Sequence, residues 1–266
     1  MRLLSLLVLG ACSSAPPSAP APAAKQRGIV DSHVHLTLFP VDQQLAAAGI
    51  SYAVDLGAPD RALGDPTALR GILRSGAMLT HPGGYPLDAW GADGYGVGCA
   101  DGACVKARVA FLAGKHVRVV KLALDDDGLD PALVPIAIQE AHARGMKVAV
   151  HALTAASADL AGRAGADVLA HTPVETLSDA TVQRWSKGAV ITTLAAFGGS
   201  PEALGNLRRL RAAGAIVLYG TDLGNLRDVG PSSSEIALMK QAGMDDAAVE
   251  AAMTSVPLTY WAFDAN

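Results

Sequence analysis

No cluster of lysine and arginine stands out among the 266 residues, and a formal net charge of −4 gives no electrostatic reason to expect a nucleic-acid partner. A Walker-type phosphate loop is missing as well. The glycines at 94–98 miss the dinucleotide-binding spacing, because Cys99 and Asp101 stand where the third glycine would fall. A nucleotide cofactor is therefore not expected. Charged residues make up only 17 % of the chain and aromatic residues 5 %, whereas half of it is hydrophobic. That composition and length suffice for one large domain with a full core, or for two small ones. The apolar run at 3–9 is far too short to span a bilayer as a helix.

That run, preceded by Arg2, reads as the core of a signal peptide over residues 1–11. Its end, Leu9-Gly10-Ala11-Cys12, resembles a bacterial lipobox, so Cys12 is expected to carry lipid and begin the mature chain. An ordinary secretory signal with an incidental cysteine is the alternative. Residues 12–27, nearly all Ser, Ala and Pro after the cysteine, form a solvated tether that cannot build a core. The globular part is 28–266. The expected location is the bacterial cell envelope, with membrane contact through the lipid anchor only. Cysteine is scarce: with Cys12 lipidated, Cys99 and Cys104 remain, and an oxidising compartment favours a disulfide between them. A two-cysteine metal site would lack His or Cys partners nearby in sequence.

From residue 28 onward, short apolar runs alternate with helical patterns, the signature of βα units and a parallel sheet. Strands are expected at 28–36, 51–57, 77–80, 117–124, 147–153, 167–171, 189–194 and 215–221. Helices are expected at 41–48, 66–74, 131–144, 178–187, 201–213, 232–242 and 245–254, with an Ala- and Gly-rich helix before the sixth strand. The helix at 131–144 has the clearest signals: Asp130 as cap, Pro131 at its first position and Gly145 past its end. Eight units in about 240 residues suit an α/β fold of the (β/α)8 TIM-barrel type, as a single domain. An open doubly wound sheet is the alternative and usually has fewer strands. The segment from 80 to about 106 is long and rich in Gly, Pro and Asp. It reads as a lid or pocket wall over the barrel mouth, or else as an elaborate surface loop.

The residues that carry chemistry gather at the ends of the apolar runs. His33 and His35 stand at i and i+2 on strand one, positions that share a side on an extended chain. Lys121 lies in the fourth strand, His151 ends the fifth, His171 ends the sixth and Asp222 follows the eighth. In a barrel these ends converge on one mouth, where catalytic residues sit. Singly each has an ordinary structural account; six together on one edge do not. Asp125, Asp126 and Asp127 after the fourth strand either attract a cationic substrate or form a solvated turn.

His-Val-His at 33–35, Val-Val-Lys-Leu around Lys121, Val-Ala-Val-His-Ala around His151, Leu-Ala-His-Thr-Pro around His171 and Gly-Thr-Asp-Leu-Gly around Asp222 together resemble the amidohydrolase superfamily of binuclear metal-dependent hydrolases. Pro82-Gly83-Gly84-Tyr85-Pro86 resembles the Gly-Gly-His motif of the imidazolonepropionase- and prolidase-like branch, with Tyr85 where relatives often carry His. The β-sandwich that usually flanks the barrel in relatives is not expected here. The resemblance implies two divalent metal ions, most often zinc. His33, His35 and Asp222 would hold the deeper ion, His151 and His171 the outer one. Lys121 would bridge them as a carbamate formed with carbon dioxide, since an ammonium cannot ligate a cation. Asp222 would also move the proton. His81 and Tyr85, at the entrance of the long segment, are expected to contact a small-molecule substrate. The implied reaction is hydrolysis of an amide bond in a dipeptide, an N-acyl amino acid or a cyclic amide. A lactonase or esterase on the same site, or a non-catalytic metal- or ligand-binding lipoprotein, are the alternatives.

Overall fold

The computed structural model describes residues 28–125 and 127–263. The expected signal peptide, the lipidated Cys12, the tether and Asp126 lie outside the described residues. The chain runs β1 (Ile29–Val34), α1 (Asp42–Ala47), β2 (Ile50–Asp55), β3 (Gly71–Arg74), β4 (Met78–Thr80), β5 (Gly96–Gly98), α2 (Gly102–Gly114), β6 (Val119–Ala123) and α3 (Val134–His142). It continues with β7 (Lys147–His151), α4 (Ala155–Ala164), β8 (Val168–Leu169), α5 (Asp179–Arg184), β9 (Ala189–Ile191), α6 (Pro201–Ala213), β10 (Ile216–Leu218), α7 (Ser233–Gln241), α8 (Asp246–Met253) and α9 (Ser255–Tyr260).

Every pairing between named strands among the described residues is parallel. The pairings give two sheets, β1-β2-β3 and β10-β9-β8-β7-β6-β4-β5. The sheets are arcs of one (β/α)8 barrel. β3 pairs with β2 and β4 with β6, and only Ser75-Gly76-Ala77 separates β3 from β4, so the two form the split third stave. Gly76 has φ +72, and a Cβ there would lie 2.5 Å from the Leu112 side chain, so the break needs glycine. At the other seam Ser32 N–H donates to Tyr219 O (2.9 Å), Asp222 N–H to His33 O (2.9 Å) and His35 N–H to Leu223 O (2.6 Å), which joins the last stave to the first. β5 lies outside the ring, on the far edge of β4.

Strand alternation divides the core. Val119 and Ala149 pack inside the barrel with Val30, Val54, Val168 and Ile191, and Trp261 and Phe263 join that cluster. Their neighbours Val120, Leu122, Val148 and Val150 face outward against α2 and α3. All eight expected strand positions carry strands, but several local expectations need correction. Residues 66–74 are not a helix: 71–74 form β3, because pairing with β2 outweighs a Pro-first, Arg-last pattern that imitates helix ends. Gly71 allows the close packing, since a Cβ there would meet the Tyr52 ring at 3.1 Å. The helix expected from 131 starts at Val134 with Leu133 as cap. Its late start keeps Pro135 in the first turn, where no backbone N–H is required. Asp130 instead accepts from Ala132 N–H at 2.8 Å in the preceding turn.

The long segment after β4 is shorter than expected, because α2 begins at Gly102. Asp101 caps it by accepting from Cys104 N–H at 2.8 Å. Its buried residues Val105, Arg108, Val109 and Leu112 follow a helical stripe, and Arg108 pairs with the Asp60 carboxylate. Cys99 and Cys104 form a disulfide that ties the chain after β5 to the first turn of α2. Replacing both with serine should lower the unfolding free energy by about 2 kcal/mol, the chain-entropy value for so short a loop. The shift of the urea midpoint reads it; an unchanged midpoint would mean that the Asp101 cap and the Arg108 pair hold α2 alone.

Candidate metal centre

Lys121 lies two residues beyond the inward-facing Val119, and His151 two beyond the inward-facing Ala149, so alternation carries both into the barrel. His33 and His35 reach the same space from β1, whose register with β2 shifts between Asp31 and Val34. Their ring centroids are 5.1 Å apart. Asp222 is presented by the chain after β10 with φ +60, a left-handed conformation that a non-glycine residue seldom takes. The buried Asp31 steadies that turn: it accepts from Thr221 N–H (3.0 Å), Thr221 Oγ1 (2.6 Å) and His33 N–H (3.2 Å). His171 lies past β8, which is shorter than the expected 167–171 strand, so a turn and not alternation aims it. Its ring centroid is 4.5 Å from that of His33 and 4.8 Å from that of His151.

The six residues thus meet at one end of the barrel, all buried. Asp222 Oδ1 lies 3.5 Å from His33 Nε2 and 3.2 Å from His35 Nε2. One ligand atom from each of these three residues falls within 4.8 Å of the others. His33 Nδ1 is 2.8 Å from Ala170 O, a bond that places the ring proton on Nδ1 and leaves a lone pair on Nε2. Among the described residues, His33 Nε2 and Asp222 Oδ1 are buried with no hydrogen-bond partner. Orphaned buried polar atoms are costly, and two aimed at one point fit a cation between them.

The electrostatics favour lone pairs over protons. Burial, reinforced by Lys121, pushes the His33 imidazole well below its ordinary range, although Asp222 works the other way. Burial and then His33 do the same to His171. His151 falls to about 4 through burial and the nearby Lys121. Burial brings the Lys121 amine down to about 7 against the pull of Asp222. Burial alone would raise the Asp222 carboxyl, but His33, His35 and the Asn225 amide hold it well below the carboxylate range. At neutral pH His33, His151 and His171 are neutral imidazoles beside a partly neutral amine and one carboxylate, a ligand set for borderline divalent ions such as zinc.

No protein-family model matches the chain, and no curated protein matches it in sequence. Solved structures do. A Xaa-Pro dipeptidase with methionine bound in its active site superimposes with a TM-score of 0.72 at 16 % identity, over 90 % of this chain and 76 % of that one. An amidohydrolase gives 0.71 at 18 % identity, over 90 % and 75 %. The bottromycin amidohydrolase gives 0.70 at 19 % identity, over 93 % and 71 %. What is shared is the fold.

Aromatic rings cover the cluster. Tyr85, from the segment after β4, stacks on His151 with centroids 4.8 Å apart, and Trp90 meets His35 at 5.0 Å while donating Nε1–H to Tyr85 OH at 3.2 Å. Phe197, after β9, meets His171 at 4.8 Å. Gly84 lets the Tyr85 segment touch the chain after β6, since a Cβ there would lie 1.8 Å from Asp127 O. His81 is exposed and lines a separate cleft of about 410 Å³ with Pro82, Asp127 and Asp130. Asp125 is not in a solvated turn: it is buried and accepts from Thr154 Oγ1 (2.8 Å) and Ser157 Oγ (2.5 Å) at the start of α4. Sequence reasoning missed Trp90, Phe197, Asn225 and Thr193, whose Oγ1 lies 2.9 Å from His171 Nδ1. Only Asn225 left a signal, three residues after Asp222, whose Oδ2 accepts from Asn225 Nδ2 at 3.1 Å.

Proposed function

We propose that this chain is a metal-dependent hydrolase of the amidohydrolase superfamily that cleaves an amide bond in a dipeptide, an N-acyl amino acid or a cyclic amide. The observation that carries the reading is the buried cluster of four histidines, one lysine and one aspartate at the barrel mouth. His33, His35 and Asp222 would hold one divalent ion, zinc for preference, and His151 and His171 a second. Lys121, neutral to an appreciable extent near pH 7, would add its Nζ lone pair to carbon dioxide, release one proton and present the resulting carbamate oxygens between the two sites. Bound there, the ions would polarise the scissile carbonyl and make water acidic enough to react at neutral pH.

The residues of the chain account for the proton. Asp222, ionised at neutral pH, accepts it from the attacking water as the carbon–oxygen bond forms. Its low basicity then lets it pass the proton to the leaving nitrogen as the carbon–nitrogen bond breaks. The aromatic rings of Tyr85, Trp90 and Phe197 exclude bulk water from the imidazoles. The signal peptide, the lipid on Cys12 and the cell-envelope location belong to the same proposal, as does the single-domain boundary at residue 28.

Elemental analysis of the protein purified without chelators, followed by amide and lactone panels, tests this reading. Two zinc ions per chain and turnover of amides are expected. Turnover confined to lactones would overturn the amide assignment. No bound metal after incubation with zinc and bicarbonate would overturn the hydrolase.

A further inference from the structure

We infer that Glu235 is a positioning residue that sets the direction and tautomer of His171 through a strained Thr193. In sequence, Ser232 and Glu235 form a helix-capping box, in which the glutamate would turn back to the N–H of the capping serine. Only half of the box forms. Ser232 Oγ accepts from Glu235 N–H at 3.2 Å, but Ser232 N–H donates to Tyr219 OH at 2.7 Å. The glutamate carboxylate is thereby free to turn into the barrel. It is fully buried, and no ion pair to it occurs among the described residues. Its Oε1 accepts from Leu194 N–H at 2.9 Å and its Oε2 from Ala195 N–H at 2.7 Å. A carboxylate taken out of water is retained only where bonds of this kind compensate it.

The clamped pair follows directly on Thr193, which has φ +39. For a β-branched residue that conformation is strained and persists only where the surroundings enforce it. Both sides are enforced: Thr193 N–H donates to Gly220 O at 3.2 Å, and Glu235 fixes the next two N–H groups. The result is a hydroxyl 2.9 Å from His171 Nδ1. With Nδ1–H donating to Thr193 Oγ1, the Nε2 lone pair is left for the mouth; with the hydroxyl donating instead, Nε2 would carry the proton and could not ligate. Glu235, which bonds the backbone after Thr193 and not His171 itself, acts on His171 by holding the Thr193 hydroxyl against Nδ1. The inference rests on the proposed role of His171 as a metal ligand.

Nitrogen-15 spectra of the metal-free protein read the tautomer without any turnover. His171 in the wild type should be the Nδ1–H form, with the Leu194 and Ala195 amides protected from exchange. Glu235→Gln, which sets an NH2 against one of the two N–H donors, and Thr193→Val, which removes the hydroxyl, should each raise the Nε2–H fraction and weaken zinc binding about 10- to 100-fold. The double variant should be little worse than either single one, since both act on one path, and Thr193→Ser should restore the wild-type tautomer. An Nε2–H His171 in the wild type would overturn the inference. So would a Glu235→Gln protein that melts earlier with tautomer and zinc affinity unchanged. If Glu235→Gln does not fold, the wild-type tautomer and Thr193→Val decide alone. A wild type that binds no zinc would remove the proposed metal site and leave the tautomer as the test of the clamp.

Discussion

Asp222→Asn should lower turnover of the zinc-loaded protein by about a thousandfold, within the range ascribed to a lost general acid–base group. The substitution is isosteric, and its effects on fold and chemistry separate. In the metal-free protein the asparagine oxygen can still accept from Asn225 Nδ2, as Asp222 Oδ2 does at 3.1 Å. Its NH2 would face the His33 and His35 nitrogens that lie 3.5 and 3.2 Å from the present Oδ1. The orphaned atoms are then better satisfied, which offsets the lost interactions that hold the Asp222 carboxyl low, so the melting temperature should move little. The same donor blocks a cation, and the proton acceptor is gone. Steady-state rates beside thermal melts and metal content measure all three effects. An unchanged rate would remove Asp222 from the proton path whatever happened to the metal.

How much of this was legible follows from what each residue depends on. The eight staves were legible because apolar runs bounded by Gly, Pro and Asp report burial directly. The six clustered residues were legible because a polar side chain at the end of such a run contradicts its surroundings. Lys121 is the plainest case, a lysine between Val120 and Leu122 that alternation puts inside the barrel. The split third stave was not legible, since residues 71–74 become strand only by pairing with β2, a contact no local pattern encodes. The stripe of α2 was present in the sequence, but its glycine-rich approach hid it. Thr193 and Phe197 were beyond reach for another reason. The first acts through a backbone angle, beside N–H groups bonded by Glu235 some forty residues away, and the second through a ring contact with His171 that no local pattern encodes.

Lys121→Met offers the second large effect, and its sign depends on the metal. In the metal-free wild type, burial lowers the Lys121 amine from 10.5 to about 7. Below pH 7 it is therefore charged in both the folded and the unfolded chain, and the folded state bears the full desolvation of a buried ammonium. Between pH 7 and 10.5 the unfolded chain binds the extra proton, so wild-type stability rises with pH. Methionine of similar length has no such penalty. The variant should therefore be the more stable metal-free protein at pH 6.5, by a margin on the order of a few kcal/mol. The margin should shrink steadily as pH approaches 10.5. Zinc and bicarbonate should reverse the order, because only the wild type can bridge two ions and gain their binding free energy. Urea titrations at several pH values, with chelator and then with zinc and bicarbonate, supply both readings. A margin that stays flat with pH would mean that Lys121 is charged in the folded protein at every pH tested, with a water path to its amine. A variant that still gained as much as the wild type from zinc would end the bridging role.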